Sequence, residues 1–82
     1  MKKQLYVFDA VITTDAMRAH PVGVVAESPI KARRLIRNYY LPQTIVFFDC
    51  FRCLGKASRP APLYVTYNPY AYLDTKDAYY VL

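Results

Sequence analysis

The sequence predicts an α+β fold with a single antiparallel sheet of about five strands and one helix packed on one face, in the order β-β-α-β-β-β. Three observations lead to this prediction. Runs of β-branched and aromatic residues favour strands, and only one segment has the periodicity of an amphipathic helix. The chain has 82 residues, a length typical of one domain, so 1–82 is predicted to be a single domain.

The first two strands are predicted from apolar segments that flank a loop. QLYVFDAVIT (4–13) is rich in β-branched and aromatic residues, and VGVVAE (22–27) is a second such run. TDAMRAHP (14–21) has turn-forming residues at both ends. These segments are therefore expected to form an antiparallel pair.

The helix is predicted from its two ends. Ser28 is a favourable N-cap residue, and Pro29 fits the first helical position, where its missing N–H has no partner to lose. The helix should end near Tyr40, because the residue before Pro42 avoids the α region.

Three more strands are predicted after the helix. The segment 44–53 (TIVFFDCFRC) is aromatic and β-branched, and 63–67 (LYVTY) and 78–82 (AYYVL) have the same character. A polar, proline-containing loop is expected over 55–62.

Basic residues gather on one side of the helix when it is drawn at 100° per residue. The apolar side, expected to pack on the sheet, carries Ala32, Leu35, Ile36 and Tyr39. The opposite side carries Arg33, Arg34 and Arg37, with Lys31 at its edge.

Two interpretations of this basic side stay open. It is either a solvated helix face, or a surface that grips an anionic partner. No acid lies three or four residues from these arginines, and arginine matches phosphate and carboxylate geometry better than lysine does. The residues predicted to contact a partner are Lys31, Arg33, Arg34, Arg37 and Tyr40, with Arg18, Lys56 and Arg59 as extensions.

A second candidate surface is the sheet face opposite the helix. If side chains along each strand alternate strictly between the two faces, a set of apolar side chains points away from the helix: Leu5, Val7, Ile45, Phe47 and Phe51. An antiparallel sheet usually has polar residues on a solvated face. We therefore expect either the C-terminal tyrosine-rich segment to fold over this face or another chain, in an oligomer or a complex, to cover it.

The sequence carries no catalytic, metal or cofactor motif. Cys50 and Cys53 form a C-x-x-C within a predicted strand, where the two side chains should point to opposite faces, and only His20 could add an imidazole. The carboxylates are scattered, and neither glycine forms a phosphate-binding loop. We therefore predict no enzymatic activity, no metal and no cofactor, with structural roles for these three residues.

Charge and hydropathy restrict the partners and the location. The net charge of +5 favours anionic partners such as nucleic acid, a ribonucleoprotein or an acidic protein face. No run approaches the roughly 18 apolar residues of a membrane span, and Asp9 interrupts the apolar residues that follow the N-terminal lysines. A cytoplasmic protein without membrane contact is expected.

The predicted layout resembles some small phage-encoded anti-CRISPR proteins, which inhibit multi-subunit DNA-surveillance complexes. The resemblance covers roughly the first half of the chain, where two strands precede a helix that opens at ESPIKARRLI and contains Ala32-Arg33-Arg34-Leu35-Ile36. It implies a non-enzymatic inhibitor in the host cell cytoplasm. Because the chain is basic, it implies docking on an effector subunit or its guide backbone rather than mimicry of DNA.

The sequence therefore predicts a non-enzymatic protein that docks on a nucleoprotein effector complex through its basic helix and blocks access of target nucleic acid. Two alternatives stay open at this point. One is a small endoribonuclease toxin that uses arginines and a tyrosine around phosphate. The other is a structural homo-oligomer built on the aromatic sheet face.

Overall fold

The computed structural model describes residues 3–60 and 68–74. Within these ranges it is α+β, with one three-stranded antiparallel sheet in the order β2-β1-β3 and one α-helix. The elements are β1 (Tyr6–Thr14), β2 (Ala19–Ala26), α1 (Pro29–Tyr40), β3 (Ile45–Lys56) and a short 3-10 helix (Pro69–Tyr72). The strands predicted over 63–67 and 78–82 lie outside the described residues.

The ends of α1 confirm the sequence-based prediction. Ser28 has extended backbone angles, φ −153° and ψ 160°, and its Oγ accepts a hydrogen bond from the backbone N–H of Lys31 at 3.2 Å. Pro29 occupies the first helical turn, and Leu41 leaves the helix with ψ of 141°. The cap satisfies one N–H that has no partner inside the helix, which fixes where α1 begins.

The β1–β2 hairpin is longer than predicted. β1 continues to Thr14 and β2 already begins at Ala19, so the connecting turn is much shorter than the expected loop. Pro21 lies inside β2, opposite Val11. Proline is accepted there because β2 is an edge strand of this sheet, where a missing N–H need not break a ladder hydrogen bond.

The main core lies between α1 and one face of the sheet. From the helix, Ala32 and Ile36 are fully buried. The strands contribute six more buried members: Phe8, Ala10, Ile12, Val22, Val24 and Ala26. Alternate residues of β1 and their β2 partners thus face the helix, as the strand period of two predicts.

Strand β3 departs from that period. Three register shifts against β1 each add a residue to β3, between Ile45 and Phe47, between Asp49 and Arg52, and between Cys53 and Gly55. Bulges of this kind place two residues of one strand opposite one of its neighbour. Cys50, inside the second shift, has a positive φ of 53°. As a result, the half-buried residues of β3 recur every third position: Ile45, Phe48, Phe51 and Leu54.

These bulges change which residues of β3 lie on the sheet face opposite the helix. Ile45 and Phe51, expected to point away from the helix, pack against the main core instead. Phe47 is exposed over 59% of its surface, while Leu5 is half-buried and Val7 is fully buried. The prediction was wrong for Ile45 and Phe51 because it assumed strict alternation through a strand that contains three bulges.

The segment 68–74 covers part of the opposite sheet face, as one of the two sequence-based expectations proposed. It contacts β1 and β2, and Leu73 forms an isolated bridge with Ala57. Pro69 is buried directly over Gly23, and a Cβ placed on that glycine would lie 2.5 to 2.9 Å from three atoms of the proline ring. Glycine is therefore required for this close approach. We call residues 68–74 the strap.

Candidate anion-binding surface

Three arginines of α1 form the candidate site, which we call the arginine face: Arg33, Arg34 and Arg37. Burial of Ala32 and Ile36 fixes the rotation of the helix on the sheet. Arg34 and Arg37 are exposed as a result, and Arg33 is half-buried at the border with β3. The packing of the core therefore sets where these charges lie.

The ion pairs of the chain distinguish the arginine face from the other basic groups. Nζ of Lys31 donates to Oε2 of Glu27 at 2.6 Å, and Nζ of Lys3 lies 3.6 Å from the same oxygen. The hydrogen bond from Lys31 and the charges of both lysines lower the pKa of the Glu27 carboxyl, although partial desolvation opposes the shift. Lys31, predicted to contact a partner, is thus already paired.

Within residues 3–60 and 68–74, none of the three arginines has a comparable partner. Among the residues that the structure describes, no carboxylate lies within ion-pair distance of Arg33, Arg34 or Arg37. An acid one helical turn away would stabilise such an arginine by about 0.2–0.5 kcal/mol, and the sequence places none there. The arginine face is therefore a cluster of like charges that these residues leave uncompensated.

Two of the arginines lie over aromatic rings of β3. The guanidinium carbon of Arg33 is 4.3 Å from the ring centroid of Phe51, and that of Arg37 is 5.1 Å from the ring centroid of Phe48. Both distances fall within the range of cation–π contacts. Phe51 in turn stacks on Phe8 of the core, with centroids 5.6 Å apart and ring planes at 18°. The two guanidinium groups thus rest on rings that the core holds in place.

Shallow depressions adjoin both ends of the arginine face. Arg34 borders a groove of about 300 Å³ that is lined by Leu5, Ala26 and Leu35 and by the ion pair of Lys31 with Glu27. Arg37 borders a smaller depression of about 140 Å³ beside Leu41. Apolar side chains therefore line part of both depressions, and they strengthen the interaction of the arginines with an anion that displaces water.

Neither tyrosine at the end of α1 occupies its predicted position. Tyr39, expected on the packing side, is exposed over 46% of its surface. Tyr40, expected beside the arginines, packs against the main core, with its ring 5.4 Å from that of His20 on β2. Tyr40 follows Ile36 by one helical turn and so continues the buried stripe. Its ring lies on the β2 side, whereas Arg33 and Arg37 lean toward β3.

The loop cations predicted to extend the surface lie apart from the α1–β3 stacks. Arg18 is in the turn between β1 and β2. Lys56 ends β3 and is paired in register with Tyr6. Arg59 lies over the ring of Tyr72 in the strap, with its guanidinium carbon 4.9 Å from the centroid. We therefore restrict the candidate site to the arginine face.

Another polar cluster, on the sheet face that the strap contacts, was not predicted from the sequence. Arg52 donates from Nε to Oδ1 of Asp9 at 2.8 Å and from a terminal nitrogen to Oδ2 at 3.1 Å, and it also reaches the Tyr70 hydroxyl at 3.3 Å. The hydrogen bonds and charge of Asp9 raise the pKa of Arg52 further above its ordinary value. A pocket of about 210 Å³ lies beside this cluster and is also bordered by Cys50. Since Asp9 already neutralises Arg52, the described residues that line this pocket include no free cation.

Residues 3–60 and 68–74 contain neither a metal-binding cluster nor a membrane-spanning helix. Cys50 and Cys53 are exposed and not disulfide-bonded, and no group of three His, Cys, Asp or Glu side chains in these ranges is placed to hold a metal ion. No helix within the same ranges is long and apolar enough to cross a membrane.

Comparison with known proteins assigns the chain to no group. No protein-family model matches it, and neither a curated protein nor a solved structure shows significant similarity to it. A functional interpretation therefore rests on the geometry and charge of the arginine face.

Proposed function

We propose that this protein is a non-enzymatic binding protein whose arginine face docks on an anionic surface of a nucleoprotein complex. The observation that supports this most is the cluster of Arg33, Arg34 and Arg37 without a carboxylate partner among the described residues. Elsewhere in those residues, Lys31 and Arg52 each have one. A cluster of like charges is unfavourable by itself and becomes favourable when an anion neutralises it.

The stacking on β3 supports a binding role over a purely solvated face. An arginine side chain loses conformational freedom when it is immobilised in an interface. Arg33 and Arg37 are already held over Phe51 and Phe48, so less of that entropy remains to be lost on binding. Preorganisation of this kind raises affinity without adding contacts.

In its specific form, the proposal is that the partner is a multi-subunit DNA-surveillance complex and that docking blocks target DNA, as in the anti-CRISPR proteins that the sequence resembles. The basic character of the chain supports contact with an acidic subunit surface or with the guide backbone. Catalysis has no part in the proposal, and purified protein should leave labelled RNA and DNA intact.

Two linked measurements test the proposal. The protein is expressed in cells with and without an active surveillance system, and the efficiency of phage infection is compared. The purified complex, loaded with its guide, is then mixed with the protein and separated by gel filtration. We expect infection to rise only in cells that carry the system, and the protein to co-elute with the complex. Unchanged infection together with separate elution would contradict the proposal.

A further inference from the structure

The positions of the guanidinium groups on the arginine face indicate which kind of ligand it binds. Arg33 and Arg37 are separated by four residues, about 6 Å along the helix axis at 1.5 Å per residue. Each guanidinium lies over a phenylalanine ring of the neighbouring strand. Each guanidinium is therefore held against a ring on its inner side, and Arg37 remains exposed to solvent.

This arrangement suits a nucleobase better than a carboxylate alone. Guanidinium planes are common stacking platforms for unpaired bases, and their N–H edges bind phosphate. A guanidinium held over Phe48 can offer its solvent-exposed side to a base and its N–H groups to the adjoining phosphate. Arg34, exposed on the next part of the helix surface, adds a second phosphate contact.

From this geometry we infer that the arginine face binds single-stranded nucleic acid, with bases stacked on the guanidinium groups of Arg33 and Arg37 and phosphates paired with all three arginines. The inference deepens the proposed function and rests on it, because it names the part of the nucleoprotein that is contacted. A paired duplex offers its phosphates to this surface but keeps its bases stacked on one another. Single strands should therefore bind more tightly.

The test uses fluorescence anisotropy with labelled oligonucleotides of about 16 nucleotides, near the upper end of common site sizes. One probe is single-stranded RNA, one is single-stranded DNA, and one is the matching duplex. We expect the single strands to bind more tightly than the duplex. With three arginines engaged, the logarithm of the affinity should fall with the logarithm of salt concentration with a slope of about −2.

Substitutions distinguish the contribution of charge to nucleic-acid binding from the contribution of stacking. Arg33→Gln, Arg34→Gln and Arg37→Gln should each reduce that slope by about 0.7. Arg37→Lys keeps the charge but loses the flat platform, so the slope should stay while the affinity falls about fivefold or more. Arg59→Gln is the matched control, since it removes an arginine that also lies over a ring, Tyr72, but outside the arginine face. Circular dichroism confirms that each variant is folded.

The inference is overturned if single strands do not bind at low salt, if the arginine-face variants bind like Arg59→Gln, or if the duplex binds as tightly as the single strands. In each of these cases, co-elution with the surveillance complex would still support the proposed function and would assign the contact to an acidic protein surface or to duplex backbone. Failure of both co-elution and oligonucleotide binding would remove the proposed function as well.

Discussion

Arg33 and Arg37 have two roles that a helical wheel cannot separate. Their charges face outward, yet their guanidinium groups contact Phe51 and Phe48 at 4.3 and 5.1 Å. A cation–π contact at a partly exposed site contributes about 0.5–1 kcal/mol. These two arginines should therefore affect stability as well as binding, whereas Arg34, which has no aromatic contact in the described residues, should affect binding alone.

We accordingly predict different stabilities for single arginine variants. Arg33→Gln and Arg37→Gln should each lower the free energy of unfolding by about 0.5–1 kcal/mol, because each loses one stacking contact. Arg34→Gln should change it by less than about 0.5 kcal/mol, as is usual at exposed positions. Urea denaturation of the three variants measures the difference, and equal effects at all three positions would argue against the stacking.

The Glu27 carboxyl should give a small pH dependence. Its pKa is lowered from the ordinary value of 4.5, first by the hydrogen bond from Lys31. A lowered folded-state pKa stabilises the protein above the unfolded pKa, and this contribution disappears as the pH falls through the folded pKa. Glu27→Gln should therefore destabilise the protein at neutral pH, and the difference from wild type should vanish in acid.

Unfolding by urea at neutral pH and at about pH 3 measures this effect. Because the carboxylate is partly exposed, added salt should also shrink the difference at neutral pH. A difference that persists in acid would show that Glu27 acts through packing rather than through its charge.

At the level of elements, the sequence predicts well where local signals are strong. Ser28 and Pro29 specify the start of α1, and Ala32 and Ile36 specify its buried side. Local capping and helical periodicity do not depend on distant partners, so they can be read from one segment. Of the two alternatives that the sequence left open for the sheet face opposite the helix, coverage by the C-terminal tyrosine-rich region holds in part, because the strap packs on it.

The structural features that the sequence did not predict depend on contacts between residues that are distant in the chain. The bulges of β3 arise from its pairing with β1, about forty residues earlier, and they moved Ile45 and Phe51 to the helix side. The apolar spacing of Ile45, Phe48, Phe51 and Leu54 is three, which is a signal of irregular pairing that strict alternation overlooks. The aromatic platforms under the arginines could not be predicted without that shift.

The strap can be tested through its contact with Gly23. A Cβ at this position would lie 2.5 to 2.9 Å from the ring of Pro69, so Gly23→Ala must displace the strap or strain the sheet. We expect a loss of about 1–3 kcal/mol in unfolding free energy, as for other overpacked sites. In a Pro69→Gly background, which removes the ring, the same substitution should cost clearly less. An equal cost in both backgrounds would contradict this contact.

At the scale of the whole molecule, part of the sheet face opposite the helix remains exposed. Val7 is buried, but Val11 and Phe47, which lie on this face by their register with Asp49 and Thr13, retain 36% and 59% exposure. The prediction that this face meets another surface therefore narrows to these two residues. Exposed apolar side chains that lie together on a sheet face are candidates for a contact with another chain.

Light scattering over a range of concentrations tests whether that contact is with a second copy. We predict that wild-type protein forms a dimer and that Phe47→Asp separates it into folded monomers. Ile30→Asp is the control, because Ile30 lies on the helix, is exposed over 69% of its surface, and should leave the dimer intact when substituted. Val25→Asp cannot serve this purpose, because Val25 is half-buried. A wild type that is monomeric at every concentration would contradict the prediction.

The central claim is that the arginine face makes the functional contact, and it is tested most directly by comparing folding with function in the charge-reversed triple variant Arg33→Glu, Arg34→Glu and Arg37→Glu. Loss of two stacking contacts should lower the unfolding free energy by about 1–2 kcal/mol. Loss of buried, hydrogen-bonded arginines from an interface should cost about 2–5 kcal/mol or more of binding. We predict that the triple variant melts as a folded protein but no longer restores phage infection in cells with an active surveillance system, while Arg59→Glu does. A folded triple variant with wild-type activity would contradict the account and would identify the arginine face as solvated surface.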